Sequence, residues 1–409
     1  MSISTNSVPL WLLCALGNCY GETTVSTQGF ISQGFVASHN TTLFDKDSDF
    51  SADLTEAAVR IALQTDQRIR FSMQTLYRHA GSHQEEGLRI DHLLLDYNLP
   101  TKASNYSAGV QLGRIKPKIG LYNESRDMAW TRPGIFLPQS IYPEILRDAY
   151  LTADGIYLYQ QWYFSNSNLQ LNLGYGHPDA SDKVAENYWG ENARGDMSTE
   201  PATNIALTYQ LGNNWLLGWS WVEASFDFDA DSDASITSGM LDFSMNLFSL
   251  QYQGEQWELT AELALSDIED EGHFPVELGN NPYAQPFLPD SKDNESLSYS
   301  LQARYRLNSH WTLTGRYEVQ YFDRNDKSGD DYAELTRQAA ELAELVNPPG
   351  TSTLTAQPNY SAYGKAWTAG IEWQPNKQWL VRAEATAGEG LAWVPTLLEF
   401  CEDTVNEKY

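Results

Sequence analysis

Segments of strand length in which every second residue is apolar or small recur through this sequence from Gly29 to Gly388. Three clear examples are Trp257–Leu265, Trp311–Tyr321 and Trp379–Ala385, in which the intervening positions are mostly polar or charged. Successive side chains of a β-strand point to opposite faces of the sheet, so each segment has one face suited to lipid and one suited to water. A soluble β-sandwich alternates in the same way, so the pattern predicts an all-β fold without separating these two classes.

The composition excludes two other classes of protein. The chain carries 54 acidic and 26 basic residues, a formal net charge of −28. Phosphate contacts need clustered Lys and Arg, so we expect no nucleic-acid partner. The longest uncharged apolar stretch, Val8 to Gly17, is shorter than the roughly 18 residues that a membrane-spanning helix requires, which argues against a helical membrane protein.

The connections between these segments favour a transmembrane barrel over a sandwich. Short turns alternate with mostly longer loops, as in a barrel with a turn side and a loop side, whereas sandwich connections have no reason to sort in this way. The predicted turns are 66–67, 100–104, 165–168, 212–214, 254–255, 308–309 and 375–377, and the predicted loops are 38–54, 81–87, 116–153, 177–201, 227–237, 267–295 and 323–364. We therefore predict an antiparallel transmembrane β-barrel with short periplasmic turns and long extracellular loops. In the last loop, helical apolar spacing, an acidic start and a Pro-Pro stop at 348–349 predict a short helix from Asp330 to Val346 that packs on neighbouring loops.

Charge and aromatic residues follow the same division. Five of the predicted loops (38–54, 177–201, 227–237, 267–295 and 323–364) hold 29 acids and 7 bases, a net charge of −22. Four predicted strands begin with tryptophan directly after a short turn, at Trp215, Trp257, Trp311 and Trp379. Tryptophan at a fixed depth on strand after strand is typical of the aromatic girdle at a membrane boundary. We expect these four side chains to face lipid on the turn side.

The two ends of the sequence give further expectations. Residues 1–21 resemble a secretory signal peptide, although the segment before the apolar run lacks Lys and Arg. Cys14 and Cys19 would leave with it, and Cys401 would then be alone, so we expect no disulfide framework. Residues 22–409 form a single predicted barrel domain of about fifteen strands. Bacterial single-chain barrels close with an even number, so we expect about 16 strands, with the closing strand beyond Tyr409. The first strand, near Gly29–Ala37, should then have one unpaired edge.

The third predicted loop differs from the others in charge. Between Arg114 and Asp148 it holds six bases and four acids, a net charge of +2 within an acidic chain. It reads Gly-Arg-x-Lys-x-x-x-Gly-Leu-Tyr-Asn-Glu-x-Arg-Asp from Gly113, followed by Thr-Arg-Pro at 131–133 and Leu-Pro-Gln-Ser at 137–140. This segment resembles the constriction loop of porin-like outer-membrane proteins of Gram-negative bacteria, including the phosphate-selective type.

The resemblance implies a third loop folded into the lumen of a water-filled channel, in a barrel of the cell outer membrane that is often a trimer. The implied partners are outer-membrane lipid, lipopolysaccharide and small polar or anionic solutes. The candidate constriction residues are Arg114, Lys116, Lys118, Arg126, Asp127, Arg132, Arg147 and Asp148. Some of these charges would only hold the loop in place. We expect Lys116, Lys118 and Arg126 to set the selectivity of the channel. If these three only hold the loop, the selectivity would come from Arg60, Arg70 and Arg78 on the wall. Strand parity puts Arg114 on the outward face of its strand, so it belongs to that structural group unless a bulge intervenes.

Strand parity also predicts charged side chains on the lumen wall. The candidates are Arg60, Arg70, Arg78, Arg304, Arg316, Arg382, Glu258 and Glu262. Mixed charges across a narrow aqueous channel generate a transverse field that sorts ions and polar solutes, although the same residues could merely keep the lumen wet.

Three functions remain open at this point. The first is a passive, non-enzymatic channel. The second is an outer-membrane enzyme such as a lipid hydrolase, which would need Ser or Asp beside His79 or His92 at the lipid boundary. The third is a non-conducting adhesin or polysaccharide-binding barrel, motivated by the loop aromatics at 187–189. The sequence predicts no metal and no cofactor, because the alternating Asp residues at 227–233 lack the Gly and Glu of an EF-hand and the histidines lack zinc spacing.

Overall fold

The computed structural model describes residues 23–39, 44, 50–65, 68–81, 86–179, 182–190 and 192–391. The predicted signal peptide and Cys401 lie outside the described residues. Residues 392–409 do so as well, so the closing strand and the open edge that we expect on the first strand stay predictions.

Within the described residues, sixteen strands form one antiparallel sheet in which neighbours along the chain pair with each other. Their bounds are β1 (Thr24–Ala37), β2 (Phe50–Gln64), β3 (Ile69–Ala80), β4 (Gly87–Asn98), β5 (Tyr106–Ile115), β6 (Ala153–Tyr163), β7 (Ser167–Pro178), β8 (Gly195–Thr199), β9 (Ala202–Leu211), β10 (Trp215–Ala230), β11 (Gly239–Gln253), β12 (Trp257–Glu271), β13 (Ser291–Arg306), β14 (Trp311–Tyr321), β15 (Tyr363–Asn376) and β16 (Trp379–Gly390). The all-β antiparallel fold predicted from the sequence is confirmed.

Two of these strands are parts of one longer strand. β8 pairs with the last residues of β10, and β9 pairs with the first part of the same strand. The interruption falls at Glu200 and Pro201, where proline has no N–H to donate to a ladder. The sheet therefore follows fifteen consecutive strands, the number counted from the sequence, with β8 as an extension of β9.

The predicted alternation of short turns and longer loops is confirmed. Turns of at most seven residues join β2 to β3, β4 to β5, β6 to β7, β9 to β10, β11 to β12, β13 to β14 and β15 to β16. Trp215, Trp257, Trp311 and Trp379 begin their strands on this side and share the outward parity of exposed leucine and valine side chains. Three of them pack against aromatic rings directly across the ladder, at Tyr252, Tyr305 and Trp373. This is the aromatic belt that the sequence predicts.

The polarity of both faces reverses along the strands. On β10 the outward residues are apolar up to Trp221 and then become acidic from Glu223 onward. On β11 the inward residues change in the opposite sense, from Gln251 and Ser249 to Phe243 and Leu241. On β10, Phe226 and Phe228 are buried inside the sheet. Since an outward apolar face suits lipid and an outward acidic face suits water, the membrane boundary on this strand lies between Trp221 and Glu223.

This reversal explains why several predicted loop boundaries are wrong. β13 begins at Ser291, inside the predicted loop 267–295, and β8 lies inside the predicted loop 177–201. The sequence places Asp227 and Asp267 in loops, but β10 continues to Ala230 and β12 continues to Glu271, while β2 begins at Phe50, inside the predicted loop 38–54. Beyond the lipid the outward face meets water, so acidic residues there are compatible with continued backbone pairing.

In the part of the chain that the structure describes, four α-helices lie in the connections on the loop side: α1 (Arg147–Leu151), α2 (Asp182–Trp189), α3 (Val276–Gly279) and α4 (Asp330–Val346). The bounds of α4 agree with the helix predicted from the sequence. As predicted, α4 packs on a neighbouring loop, where Ala343 and Leu354 form a buried cluster with Leu278 and Ala284. Among the described residues, no helix is both long and apolar enough to cross a membrane.

Candidate functional site

The connection between β5 and β6, residues 116–152, lies inside the sheet, and we call it the inner loop. Its Arg132 side chain forms an ion pair with Glu56 of β2. Elsewhere the Ser140 N–H donates to Glu318 of β14 (3.0 Å), and the Ile135 N–H donates to Glu384 of β16 (2.8 Å). These strands come from both halves of the chain, so the sheet curves around the inner loop. The predicted inward fold of the third loop is confirmed.

Apolar packing fixes one side of the inner loop. Ile119, Tyr122, Leu137, Ile141 and Tyr142 form one buried cluster with wall residues of β10, β11 and β12, namely Val222, Met245, Leu247 and Ala264. The hydroxyl group of Tyr142 donates to Glu262 of β12 (2.8 Å). The Leu121 N–H donates to the same carboxylate (3.1 Å), so a single wall residue holds two points of the inner loop.

The opposite side is held by a buried ionic network of six bases and five acids. Its members are Arg78, Arg89, Lys116, Arg126, Arg132 and Arg147 with Glu56, Asp91, Asp127, Glu144 and Asp148. Glu56 accepts from Arg78 of the neighbouring strand (2.9 Å) and from Arg132 of the inner loop. Breaking such a pair leaves a buried charge uncompensated, so the network strongly disfavours displacement of the inner loop.

Lys116 shows the electrostatic cost of this arrangement. Its ammonium group lies 2.7 Å from the Asp91 carboxylate and also contacts Asp127. Burial lowers the pKa of Lys116 to about 8, although attraction by Asp91 acts in the opposite direction. Burial, together with the neighbouring cations Arg78, Arg89 and Arg126, also lowers the pKa of Arg147 well below its ordinary value.

The structure separates the candidate constriction residues into three groups. Lys116, Arg126, Asp127, Arg132, Arg147 and Asp148 all belong to the buried ionic network. Lys118 retains solvent contact and lies 3.4 Å from Glu124. Arg114 lies on the outward face of β5, where it pairs with Asp154 (2.8 Å) and Asp179 (2.9 Å). Its position agrees with the structural role that strand parity predicts, and it is remote from the lumen.

Most of the candidate wall residues contact the inner loop or one another. Arg316 donates to the Phe136 carbonyl (3.0 Å), and Arg382 donates to the Arg132 carbonyl (2.7 Å). Arg78 and Glu262 anchor the inner loop as described above. Arg304 of β13 instead lies between Glu258 of the neighbouring β12 (3.3 Å) and Glu372 of β15, two strands away (3.2 Å).

Arg60 and Arg70 differ from these residues. Both have the inward parity of their strands, and within the described residues neither has a carboxylate within 4 Å. Arg60 faces Gln74 across the β2–β3 ladder, and Arg70 faces Gln64 on β2 and Asp96 on β4. Arg70 thus has an acid across the ladder, but within the described residues no ion pair of 4 Å or less compensates either guanidinium group. These two guanidinium groups can therefore present positive charge to water in the interior.

Sequence reasoning missed three acids of the network, Glu56, Asp91 and Glu144, and one base, Arg89. Glu56 has the same inward parity as Arg60, so the alternation could have identified it. Asp91 is the extra residue of a bulge in β4, where the register with β3 shifts between Gln74 and Thr75. A bulge reverses parity, so the alternation could not place Asp91.

The contacts of the loop aromatics and histidines bear on the two other functions. Trp189 and Asn187 are buried inside the barrel, so these residues cannot serve as a surface display for an adhesin. His92 of β4 lies 3.0 Å from the Ser72 hydroxyl of β3. Both side chains face the interior and are buried, whereas the lipid hydrolase would need them at the lipid boundary. Within the described residues, no group of three or more His, Cys, Asp or Glu side chains could hold a metal ion.

No protein-family model matches this sequence, and no curated protein matches it. Solved structures do match. The outer-membrane protein OmpT of Vibrio cholerae, folded in vitro and in trimer form, has a TM-score of 0.52 at 11% identity, over 90% of this chain and 89% of that chain. OmpF of Salmonella typhi, in complex with daunomycin, has a TM-score of 0.50 at 10% identity, over 90% of each chain.

At these identities the likeness concerns the fold alone. That fold is the porin-like β-barrel of outer-membrane proteins, and the lipid-facing apolar band with its tryptophan belt agrees with it. The protein is therefore a transmembrane β-barrel of the cell outer membrane.

Proposed function

We propose that this protein is a non-enzymatic porin, a water-filled channel for passive diffusion of small hydrophilic solutes or ions, with a charged constriction at the inner loop. The observation that carries the proposal is the position of that loop. It crosses the interior and is anchored on β2, β12, β14 and β16. A loop fixed in this way gives a narrow passage of constant shape, which selective diffusion requires.

We assign the selectivity of this passage mainly to Arg60 and Arg70. The sequence-based hypothesis gives that role to Lys116, Lys118 and Arg126, but Lys116 and Arg126 are compensated by buried carboxylates. Their charge is therefore largely cancelled at close range, and only Lys118 of the three retains solvent contact. Uncompensated arginines on the wall raise the local concentration of anions in a confined space.

The acidic loops act in the opposite sense, since they repel anions from the mouth of the channel. Solvent-exposed charges more than a Debye length away, about 8 Å at physiological salt, are largely screened. Charges inside the passage should therefore dominate, and we propose a preference for small anions or polar nutrients. The resemblance of the inner-loop motif to phosphate-selective porins supports the same direction.

The remaining partners follow from the same proposal. The chain would be exported from the cytoplasm of a Gram-negative bacterium by its signal peptide, and the acidic loops would meet lipopolysaccharide through divalent cations. The OmpT structure that resembles this chain is a trimer form, which supports a homotrimer here as well.

Single-channel recording of the full-length protein in a planar bilayer tests the proposal. We expect discrete, long-lived conductance steps, because the buried ionic network holds the inner loop in one position. A barrel that folds and inserts but passes no current would refute the channel and leave the non-conducting barrel or the enzyme. Hydrolysis of bilayer lipid by the same preparation would favour the enzyme.

A further inference from the structure

A cavity of about 100 Å³ lies behind the inner loop, on the loop side of the barrel. Both ends of the inner loop contribute to its lining, through Ile119 and Leu146, and α2 closes another side. The wall opposite is built from inward residues of β10 and β11, among them Val222, Phe226 and Leu241. Beyond the membrane boundary the inward residues of these strands are apolar, so the cavity is apolar although it lies inside the barrel.

Among the described residues, two fully buried polar atoms of the lining side chains have no hydrogen-bond partner. The Asn204 side chain is 3% exposed, and its Oδ1 accepts no hydrogen bond. Its amide nitrogen donates to the carbonyls of Lys118 (3.3 Å) and Trp221 (3.1 Å), which fixes the orientation of the amide. Trp189 is 2% exposed, and its Nε1–H has no acceptor. A buried acceptor and a buried donor that lack partners are costly unless something binds them.

The chemistry of the lining restricts what could bind. No residue that lines the cavity carries a charged side chain. Burial of an uncompensated charge there would be strongly unfavourable, so the occupant should be neutral. At about 100 Å³ this cavity is smaller than an engineered apolar cavity of roughly 150 Å³ that binds benzene, so one compact ring is the largest occupant that it should admit. A hydroxyl group offers both the donor that Asn204 lacks and the acceptor that Trp189 lacks.

We propose that this cavity is a binding site for a small neutral molecule with one compact apolar ring and one hydroxyl group, that is, a molecule of the phenol class. The site is separate from Arg60 and Arg70, which we assign to ion selectivity. Occupancy would stabilise the packing of the inner loop and α2 against the wall, because a ligand that binds only the folded state stabilises it by mass action.

The test uses 4-fluorophenol and the full-length protein in lipid nanodiscs, with binding followed by ¹⁹F NMR. We expect saturable binding of one molecule per chain. Val222→Trp, which fills the cavity, should weaken binding of 4-fluorophenol at least tenfold. If that variant does not fold, Ala224→Leu fills the cavity with a smaller side chain and should also weaken binding. Leu259→Trp, on the lipid face of β12, is the matched control. It should bind 4-fluorophenol as the wild type does, and this comparison distinguishes binding in the cavity from partition of the probe into lipid.

The hydroxyl group is tested with a second probe and a second variant. Trp189→Phe should weaken 4-fluorophenol by roughly three- to tenfold, the usual effect of one hydrogen bond, and leave fluorobenzene unchanged. Equal loss for both probes would contradict the role of the Trp189 N–H. Absence of saturable binding, equal binding by Val222→Trp, or equally strong binding of 4-fluorobenzoate would overturn the proposal. None of these outcomes depends on whether the barrel conducts.

Discussion

Replacement of Glu56 by glutamine should release the middle of the inner loop without unfolding the barrel. The Glu56 side chain is 2% exposed and accepts from Arg78 and Arg132. Arg78 has a second carboxylate partner, Glu144. Among the described residues, Arg132 forms an ion pair with Glu56 alone. The substitution therefore leaves the Arg132 guanidinium buried without a compensating charge. The barrel itself keeps its ladder, because the backbone of β2 is unchanged.

The size of the effect follows from the burial of the pair. Removal of one partner of a buried ion pair costs about 3–5 kcal/mol, and glutamine still accepts one hydrogen bond, so we expect about 3 kcal/mol. Since each 1.4 kcal/mol is a factor of ten, local opening of the inner loop should become about 100-fold more frequent.

Hydrogen exchange measured by mass spectrometry on the full-length protein is the assay. The Ile135 and Phe136 N–H groups donate to Glu384, so their peptide should be protected in the wild type and exchange about 100-fold faster in Glu56→Gln. Glu295→Gln is the control, because Glu295 and its partner Arg324 are both more than 40% exposed, and such pairs contribute little. An increase below about threefold in Glu56→Gln would refute the anchoring role of the network.

Two further predictions concern the membrane face and the outer loops. Leu263→Arg should destabilise the barrel by about 2–4 kcal/mol in urea titrations of vesicle-inserted protein, because Leu263 faces lipid between Trp257 and the acidic end of β12. Asp267→Arg, four residues further on the same face, should change the stability of the barrel much less. An equal loss of stability in both variants would contradict the membrane boundary. Although burial alone would raise the pKa of Glu277, hydrogen bonds from Ser352 and Thr353 hold it below its ordinary value of 4.5. This carboxylate therefore stabilises the loop above pH 4.5, and its contribution is lost as the pH falls through the lowered pKa. Protection of the Thr353 amide, which donates to Glu277, should therefore decrease on acidification in the wild type. In Glu277→Gln the protection should already be low at neutral pH. Protection that does not change with pH, after correction for intrinsic exchange, would contradict this.

The sequence predicted those parts of the fold that depend on local patterns. The alternation along each strand gave the all-β fold and the sorting of turns and loops, since neighbouring side chains alternate between two environments. The helix Asp330–Val346 was predicted with its bounds, because its apolar spacing, acidic start and following prolines are all local signals. Strand ends beyond the membrane were missed, because there the acidic residues of β10 and β12 resemble a loop.

Contacts of the inner loop depend on residues far apart in the sequence, and the sequence could not give them. Arg132 and Glu56 are 76 residues apart, and nothing local to either position indicates that they meet. The bulge at Asp91 depends on how β4 pairs with β3. The sequence therefore identified a charged, inward-folded loop but not which of its charges are compensated.

The central claim is that uncompensated wall arginines, rather than the buried bases of the inner loop, set the selectivity of a passage at the inner loop. The most direct measurement is the zero-current potential across a planar bilayer in a potassium chloride gradient, for the wild type and for Arg60→Gln with Arg70→Gln. Arg324→Gln, in an exposed outer ion pair, is the control. We predict anion preference in the wild type and the control, and a clear shift toward cations in the double variant, because both inward cations are removed. An unchanged potential in the double variant would contradict the claim.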